Sequence, residues 1–299
     1  MRILLTGTTG QVGGALLGPL RSIGTVIPVR RADFDLSDPM SLPEKLDRIA
    51  PDLIVNPAAY TAVDRAEDER ELAVEINARA PERMAIWATE HAVPFVHFST
   101  DYVFPGTGER PWREDDPTGP LSVYGASKLA GEAAIRSAHG PHLIVRTSWV
   151  YAARGTNFLR TVIRLARERQ ELRIVADQIG APTSARVIAN SLAMMIGQQN
   201  TSLPELFARS GGLVHLACAG ETSWHGFATA IVERLKLCDV VLKAERILPI
   251  LTVDFPTKAQ RPRNSRFDQT RLREVFGLTS PHWSNALALE LDELAREGD

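Results

Sequence analysis

Cysteine is scarce in this sequence: Cys218 and Cys238 are the only two in 299 residues. So few thiols exclude a disulfide-stapled scaffold, and the expected state is two free cysteines in a reducing compartment. No group of Cys and His stands at zinc-ligand spacing. Excess charge is lacking too. Lys and Arg number 34 against 36 Asp and Glu, a formal net charge of −2. That balance gives no electrostatic ground for a nucleic-acid or anionic-membrane partner. Long apolar runs are absent as well. Nothing approaches the ~20 residues of a membrane-crossing helix. The opening Met1-Arg2-Ile3-Leu4-Leu5 is too short, and too soon broken by glycine, for a signal peptide. The expected setting is the cytoplasm, and the expected partner is small.

What is present fits an ordinary globular chain, 44% hydrophobic and 23% charged. The length suits one large domain or two modest ones sharing a core. Short apolar runs read as strands: Ile3–Leu5, Val26–Val29 (weakened by Pro28), Leu53–Val55, Phe95–Phe98 and Leu143–Val145. Helical patterns lie between them at Gln11–Arg21, Leu42–Ile49, Glu69–Glu90 and Gly125–Ser137. Strands apolar on both faces belong to a parallel sheet covered by helices on each side. Their alternation with helices predicts a doubly wound α/β fold of Rossmann type.

After Trp149 the rhythm changes. Helices are expected at Asn157–Gln170, Ala185–Gln198, Ser223–Leu237 and His282–Arg296, with strands at Leu172–Val175 and Leu213–Ala217. The division expected is a dinucleotide-binding domain over 1–150 and a smaller, partly interleaved substrate domain over 151–299, with segments returning to the main sheet. The stretch Pro105–Pro120, rich in Gly, Pro and acidic residues, reads as a surface excursion near the cleft.

Gly7-Thr8-Thr9-Gly10-Gln11-Val12-Gly13 follows the first strand and opens the first helix. Glycines there permit a tight turn and close backbone approach to a pyrophosphate. The helix N-terminus offers that anion free N–H groups and partial positive charge. A bare strand-to-helix turn would need no such placement in the first βα unit. The second strand ends in Arg30-Arg31. An arginine at this point accommodates a 2′-phosphate, which favours NADPH. Asp33 and Asp35 close behind keep NADH possible.

Tyr124-Gly125-Ala126-Ser127-Lys128 places a tyrosine and a lysine one helical turn apart on one face. A phenol with an ordinary pKa of about 10 exchanges protons poorly at neutral pH. A lysine ammonium beside it favours phenolate, and the same ammonium can hydrogen-bond the nicotinamide ribose, so Tyr124 and Lys128 are candidates for cofactor binding too. That pairing points to general-acid chemistry at Tyr124. A hydroxyl donor for a substrate carbonyl belongs at the C-terminal end of a strand facing the cofactor. In Phe98-Ser99-Thr100-Asp101-Tyr102 the candidate is Thr100, with Ser99 second. A turn or capping role is the alternative for either.

The glycine loop, Asn56-Pro57-Ala58-Ala59-Tyr60-Thr61 and Tyr124-x-x-x-Lys128 together resemble the extended short-chain dehydrogenase/reductase superfamily. Within it, Ser99–Gly106, Arg146–Tyr151, Asp177–Thr183 and Arg261–Arg266 resemble the dTDP-4-dehydrorhamnose reductase family, in that family's order. The resemblance implies NAD(P)H-dependent reduction of the 4-keto group of a dTDP-deoxysugar. It implies that Gly10, Gln11 and Val12 meet the cofactor phosphates and that Arg30, Asp35 and Leu36 surround the adenosine. Ala59, Tyr60 and Thr61 would line the cofactor further along. Thr100, Asp101 and Trp149 would hold the sugar, a tryptophan offering a flat apolar face. Arg261 and Arg263 are candidates either for a diphosphate or for ion pairs that pin their loop. Some family members hold Mg²⁺ at a dimer interface through glutamates. The corresponding positions here are Ala15 and Arg186, with only Glu293 kept, so no Mg²⁺ is expected, and monomer and homodimer both stay open. The competing readings are an epimerase or dehydratase of the same superfamily, or a non-catalytic regulatory subunit with this fold.

Overall fold

The computed structural model describes residues 1–198 and 201–297; 199, 200, 298 and 299, all within the expected second lobe, lie outside the described residues. The first half runs β1 (Arg2–Leu5), α1 (Gln11–Arg21), β2 (Thr25–Pro28), α2 (Leu42–Ile49), β3 (Leu53–Asn56), α3 (Val63–Ala66), α4 (Arg70–Val74), α5 (Ala80–Glu90), β4 (Phe95–Thr100), α6 (Val123–Ser137) and β5 (His142–Thr147). The second half follows as β6 (Val150–Tyr151), α7 (Phe158–Glu168), β7 (Glu171–Val175), β8 (Ile179–Gly180), β9 (Thr183–Ser184), α8 (Ala185–Ile196), α9 (Leu203–Arg209), β10 (Leu213–His215), β11 (Thr222–Ser223), α10 (Trp224–Leu237), β12 (Arg246–Ile250), β13 (Asn264–Ser265), α11 (Thr270–Phe276) and α12 (Trp283–Glu297).

The main sheet has the order β10-β5-β4-β3-β1-β2, with every pairing parallel. Alternation along each strand sends side chains to two cores. Ile3, Leu5, Val55 and Val145 pack with Leu16 of α1 and Ile188 and Leu192 of α8. Leu4, Ile54, Phe95 and Ile144 pack on the other face with Leu46 of α2 and Met84 of α5. The doubly wound α/β fold is therefore as expected. Pro28 is harmless because β2 is an edge strand pairing only with β1, where a missing N–H breaks no ladder. The strand expected at Leu213–Ala217 is shorter and belongs to the main sheet, beside β5. A separate core gathers Leu159, Ile163, Phe227, Ile231 and Leu291 from α7, α10 and α12.

Two expectations change. The single helix predicted over Glu69–Glu90 is broken into α4, a π-helical turn at Glu75–Arg79, and α5. Pro81 has no N–H to offer the carbonyl of Asn77, four residues back, so the turn widens. That carbonyl faces α6, where a Cβ at Gly131 would come within 2.1 Å of it. The stretch 105–120 is not a free surface excursion. Trp112 is nearly buried, stacks on Phe104 at 4.7 Å and donates its Nε1–H to the Asn264 carbonyl. Glu114 is buried and accepts from the backbone N–H of His215. Composition marked the segment as loop but could not show that its few large side chains turn inward.

The Gly131 contact is testable. Gly131→Ala forces an added methyl against a backbone oxygen, and overpacking of this kind destabilises by roughly 1–3 kcal/mol. Urea denaturation measures it. A loss below ~0.5 kcal/mol, the range of neutral surface changes, would show that α6 does not depend on this approach.

Candidate active site

The chain leaves β1 for the edge strand β2, then returns to the other side of β1 for β3. Strand order reverses between these neighbours, and ligands of open α/β sheets bind in the crevice beyond the strand ends at such a point. Here that crevice lies beside Gly7 and Ala58. Gly7 has φ +58°, and a Cβ on it would lie 2.9 Å from the Ala58 backbone nitrogen. A Cβ on Gly13 would lie 2.1 Å from the Gly7 carbonyl oxygen. Gly10 caps α1 without any side chain over the helix N-terminus. The loop is thus a backbone cradle that only glycine permits, and it fits a pyrophosphate.

A cleft of about 1410 Å³ runs from this cradle. Gly7, Gly10, Gln11, Val12, Gly13, Arg30, Asp35, Leu36, Ala59 and Thr61 line it, and so do Thr100, Asp101, Tyr124, Lys128 and Trp149. Tyr60 is not among the lining residues. Its hydroxyl donates to Glu69 at 2.7 Å, and its ring packs with Ala66, Ala73 and Val123. Asp35 accepts from the backbone and hydroxyl of Ser37, which hold its carboxyl below the usual range, with Arg31 3.6 Å away.

Thr100 ends β4 with its side chain buried. Its hydroxyl donates to Asp101 Oδ1 at 3.1 Å and accepts from the Tyr102 N–H, so it also serves the capping role. Tyr124 stands in the first turn of α6, edge-on to Tyr102. Burial pushes its phenol up to about 12, and a hydrogen bond with Thr100 draws it back only in part. The expectation that Lys128 holds this pKa down is not met, because desolvation dominates. Lys128 is itself pushed down to about 7 by burial, and its Nζ lies 3.0 Å from His97 Nε2. Burial likewise raises Asp101 to about 6, with Ser265 and Thr100 beside the carboxyl offsetting it only in part.

Trp149 adopts φ +50°, a left-handed conformation rare for a bulky residue. One ring face stacks on Trp224 at 3.6 Å. Trp224 in turn donates to Gln178 Oε1, and Gln178 to Thr252. Trp224 also lines the cleft, and sequence reasoning missed it as a site residue: position 224 reads only as the start of a helix. His97 was missed too, lying inside an apolar run with no motif of its own.

Both arginines left open by the sequence are found in ion pairs. Arg261 meets Asp64 at 2.7 Å and Arg263 meets Asp177 at 2.9 Å. Arg186 lies between Glu290, at 2.9 Å, and Glu293. A guanidinium already bridges the carboxylates that a cation would need, so these residues do not fit Mg²⁺. No cluster of three or more metal-ligating His, Cys, Asp or Glu exists among the described residues, and no helix among them is long and apolar enough to cross a membrane.

The sequence matches the RmlD substrate binding domain family over residues 1–296. A dTDP-4-dehydrorhamnose reductase from Burkholderia thailandensis is 45% identical, covering 98% of this chain and 99% of its own. Among solved structures, a dTDP-4-dehydrorhamnose reductase from Clostridium acetobutylicum superposes with a TM-score of 0.89 at 33% identity, covering 98% of this chain and 99% of that one. Another from Bacillus anthracis, in complex with NADP, gives 0.87 at 34% identity over the same shares.

The raised Asp101 carboxyl has a measurable consequence. Between 3.8 and about 6 the folded chain keeps a proton that the unfolded chain has released. Stability therefore falls as pH rises through this window and stays lowered above it. Asp101→Asn removes the effect. At pH 8 the variant is expected to be more stable by up to roughly 3 kcal/mol, with the gain vanishing near pH 4. A gain independent of pH in thermal melts would refute the assignment.

Proposed function

The chain belongs to the dTDP-4-dehydrorhamnose reductases, the family of the RmlD substrate binding domain, and from this we propose that it reduces the 4-keto group of dTDP-4-dehydro-L-rhamnose to dTDP-L-rhamnose with NADPH. The observation that carries the reading is the convergence of a glycine-only cradle with Thr100, Tyr124 and Lys128 in one cleft. The family resemblance supplies the substrate.

We assign the roles as follows. Gly7, Gly10 and Gly13 bring backbone N–H groups to the cofactor phosphates, with Gln11 and Val12 beside them. Arg30 receives the 2′-phosphate, and Asp35 and Leu36 flank the adenosine. Ala59 and Thr61 continue the cofactor wall, while the Tyr60 backbone between them is held by the Asn77 side chain. When bound, the nicotinamide supplies the hydride. Tyr124, kept protonated by burial, donates its proton to the oxygen of the reacting carbonyl. Thr100 turns its hydroxyl proton from Asp101 to the same oxygen, and Lys128 beside it in the cleft helps to stabilise the charge. Asp101 and Trp149 orient the sugar, with the flat indole of Trp149 against its ring. Residues 1–150 form the dinucleotide-binding lobe and 151–299 the substrate lobe, which sends α8 and β10 back to the first. The setting is the cytoplasm, with no nucleic acid or membrane as partner.

Supplied with dTDP-4-dehydro-L-rhamnose, the protein is expected to consume NADPH in proportion to product. An epimerase or dehydratase would leave NADPH unspent, and a regulatory subunit would do nothing. Tyr124→Phe should lower kcat by about 10²–10⁴-fold while cofactor binding is retained; near-normal kcat would remove Tyr124 as the acid. Chelation of divalent cations should leave turnover unchanged, since Arg186 stands where a metal would be needed.

A further inference from the structure

A short loop, Ala152-Ala153-Arg154-Gly155-Thr156, joins β6 to α7. All five residues line the cleft, and they share it with Gly10, Gln11 and Val12 of the glycine loop. Gly155 has φ +83°, and a Cβ on it would meet Gln11 Cγ at 3.9 Å. The loop therefore rests beside the first residue of α1. From behind it is held by the second core, on which Ala153 and Phe158 pack. The Phe158 ring lies 4.6 Å from that of Trp224. A segment rooted on the tryptophan side of the cleft thus reaches the cofactor side, and none of the roles assigned above uses it.

Asn157 closes this loop, and the two ends of its amide do different work. The Arg160 backbone N–H only donates, so the atom 3.0 Å from it is the acceptor Oδ1, which caps α7. Nδ2 then points the other way, and it meets acceptors alone. These are Gln11 Oε1 at 2.8 Å, the Ala152 carbonyl at 2.8 Å and the Arg154 carbonyl at 3.3 Å. A cap needs only the oxygen, and serine or aspartate supplies one as well. The nitrogen is the part that ties the loop to itself and to Gln11. Gln11 opens α1, whose N-cap is Gly10 and whose first N–H groups carry no side-chain cap. A glutamine amide oxygen left loose there would compete for those N–H groups with an incoming phosphate. Bound to Asn157, it does not.

We propose that Asn157 is a positioning residue for NADPH: its Nδ2 seats the loop 152–156 on Gln11 as a strap beside the cofactor diphosphate and holds the Gln11 amide away from the helix N-terminus that receives the phosphates. Asn157 does not itself line the cleft, so it acts through Gln11 and the strap. The arrangement spans the two halves of the chain, since Gln11 and Asn157 stand 146 positions apart. It explains why a side chain that already caps α7 spends its second polar group on three oxygens of another segment and of its own loop. The inference rests on the cofactor assignment above and adds to it a residue, outside the cleft wall, that sets cofactor affinity.

The two halves of the amide can be separated by experiment. NADPH is titrated into the full chain by calorimetry for wild type, Asn157→Ser and Asn157→Ala. Serine keeps an oxygen to cap α7 and loses Nδ2; alanine loses both. Both variants should raise the Kd for NADPH by about three- to tenfold, the worth of one hydrogen bond, while only alanine lowers the melting temperature through the lost cap. In turnover, the serine variant should raise the KM for NADPH by a larger factor than it lowers kcat. In a Gln11→Ala background the serine change should weaken NADPH binding by a smaller factor than it does in wild type. A serine variant that binds NADPH within about threefold of wild type would overturn the proposal, as would full additivity with Gln11→Ala. If the alanine variant does not fold, serine alone decides. A wild type that bound no NADPH would strike the cofactor assignment together with this inference; equal binding by wild type and serine variant strikes this inference alone.

Discussion

The ion pair of Arg146 with Glu132 is the constraint on which the site depends. Both side chains are 2% exposed. Removing two charges from water is costly by several kcal/mol per ion, and only close, multiply bonded geometry offsets it. The fork of Arg146 supplies that geometry with two bonds to one carboxylate. It thereby fixes α6 on β5 at the level of Lys128, one turn away. The same guanidinium donates to the Glu114 carbonyl and lies 4.9 Å over the Phe104 ring. Helix, strand and the segment beyond Thr100 are pinned by one side chain. Glu132 is used up in the process, which leaves Lys128 to His97.

The sheet sets the remaining positions. Its switch point brings Gly7 against Ala58, and the residues just inside, Thr6 and Asn56, are joined by a hydrogen bond. Residues that follow Trp149 are tied to the glycine loop and the segment after β3 at several places. Asn157, which caps α7, donates to Gln11 in the glycine loop. Near the other end of the chain, Lys258 pairs with Asp68, and Asp64 accepts from the Ala259 N–H and from Arg261. These contacts hold Trp149 and Trp224 over the same space that Thr100 and Tyr124 border.

Features that follow from local spacing were legible in the sequence. Glycines after a first strand, Tyr124 and Lys128 four apart, and strands alternating with helices each depend on a few neighbouring residues. What could not be read depends on partners far along the chain. The π turn at Glu75–Arg79 needs both Pro81 and the closeness of Gly131, 54 positions beyond Asn77. The inward turn of 105–120 needs Asn264, 152 residues from Trp112. Lys128 could be placed on the right helix face but not assigned its neighbour, because His97 lies on another element 31 positions back. Tyr124 was expected to be acidified because spacing reveals a nearby cation and says nothing of burial.

Desolvation acts on three groups of the cleft in one sense. It raises Tyr124 to about 12 and Asp101 to about 6, and lowers Lys128 to about 7. Each is driven toward its uncharged form. A site that penalises charge on its own residues penalises an alkoxide formed within it as well. Such an anion is avoided if a proton arrives as the negative charge develops. Tyr124, held protonated and hydrogen-bonded with Thr100, is arranged to give that proton in step with reduction. A site built around a standing phenolate would need a permanent cation to hold it. Burial instead keeps Tyr124 as the phenol, so the low polarity of the cleft itself favours its acid role.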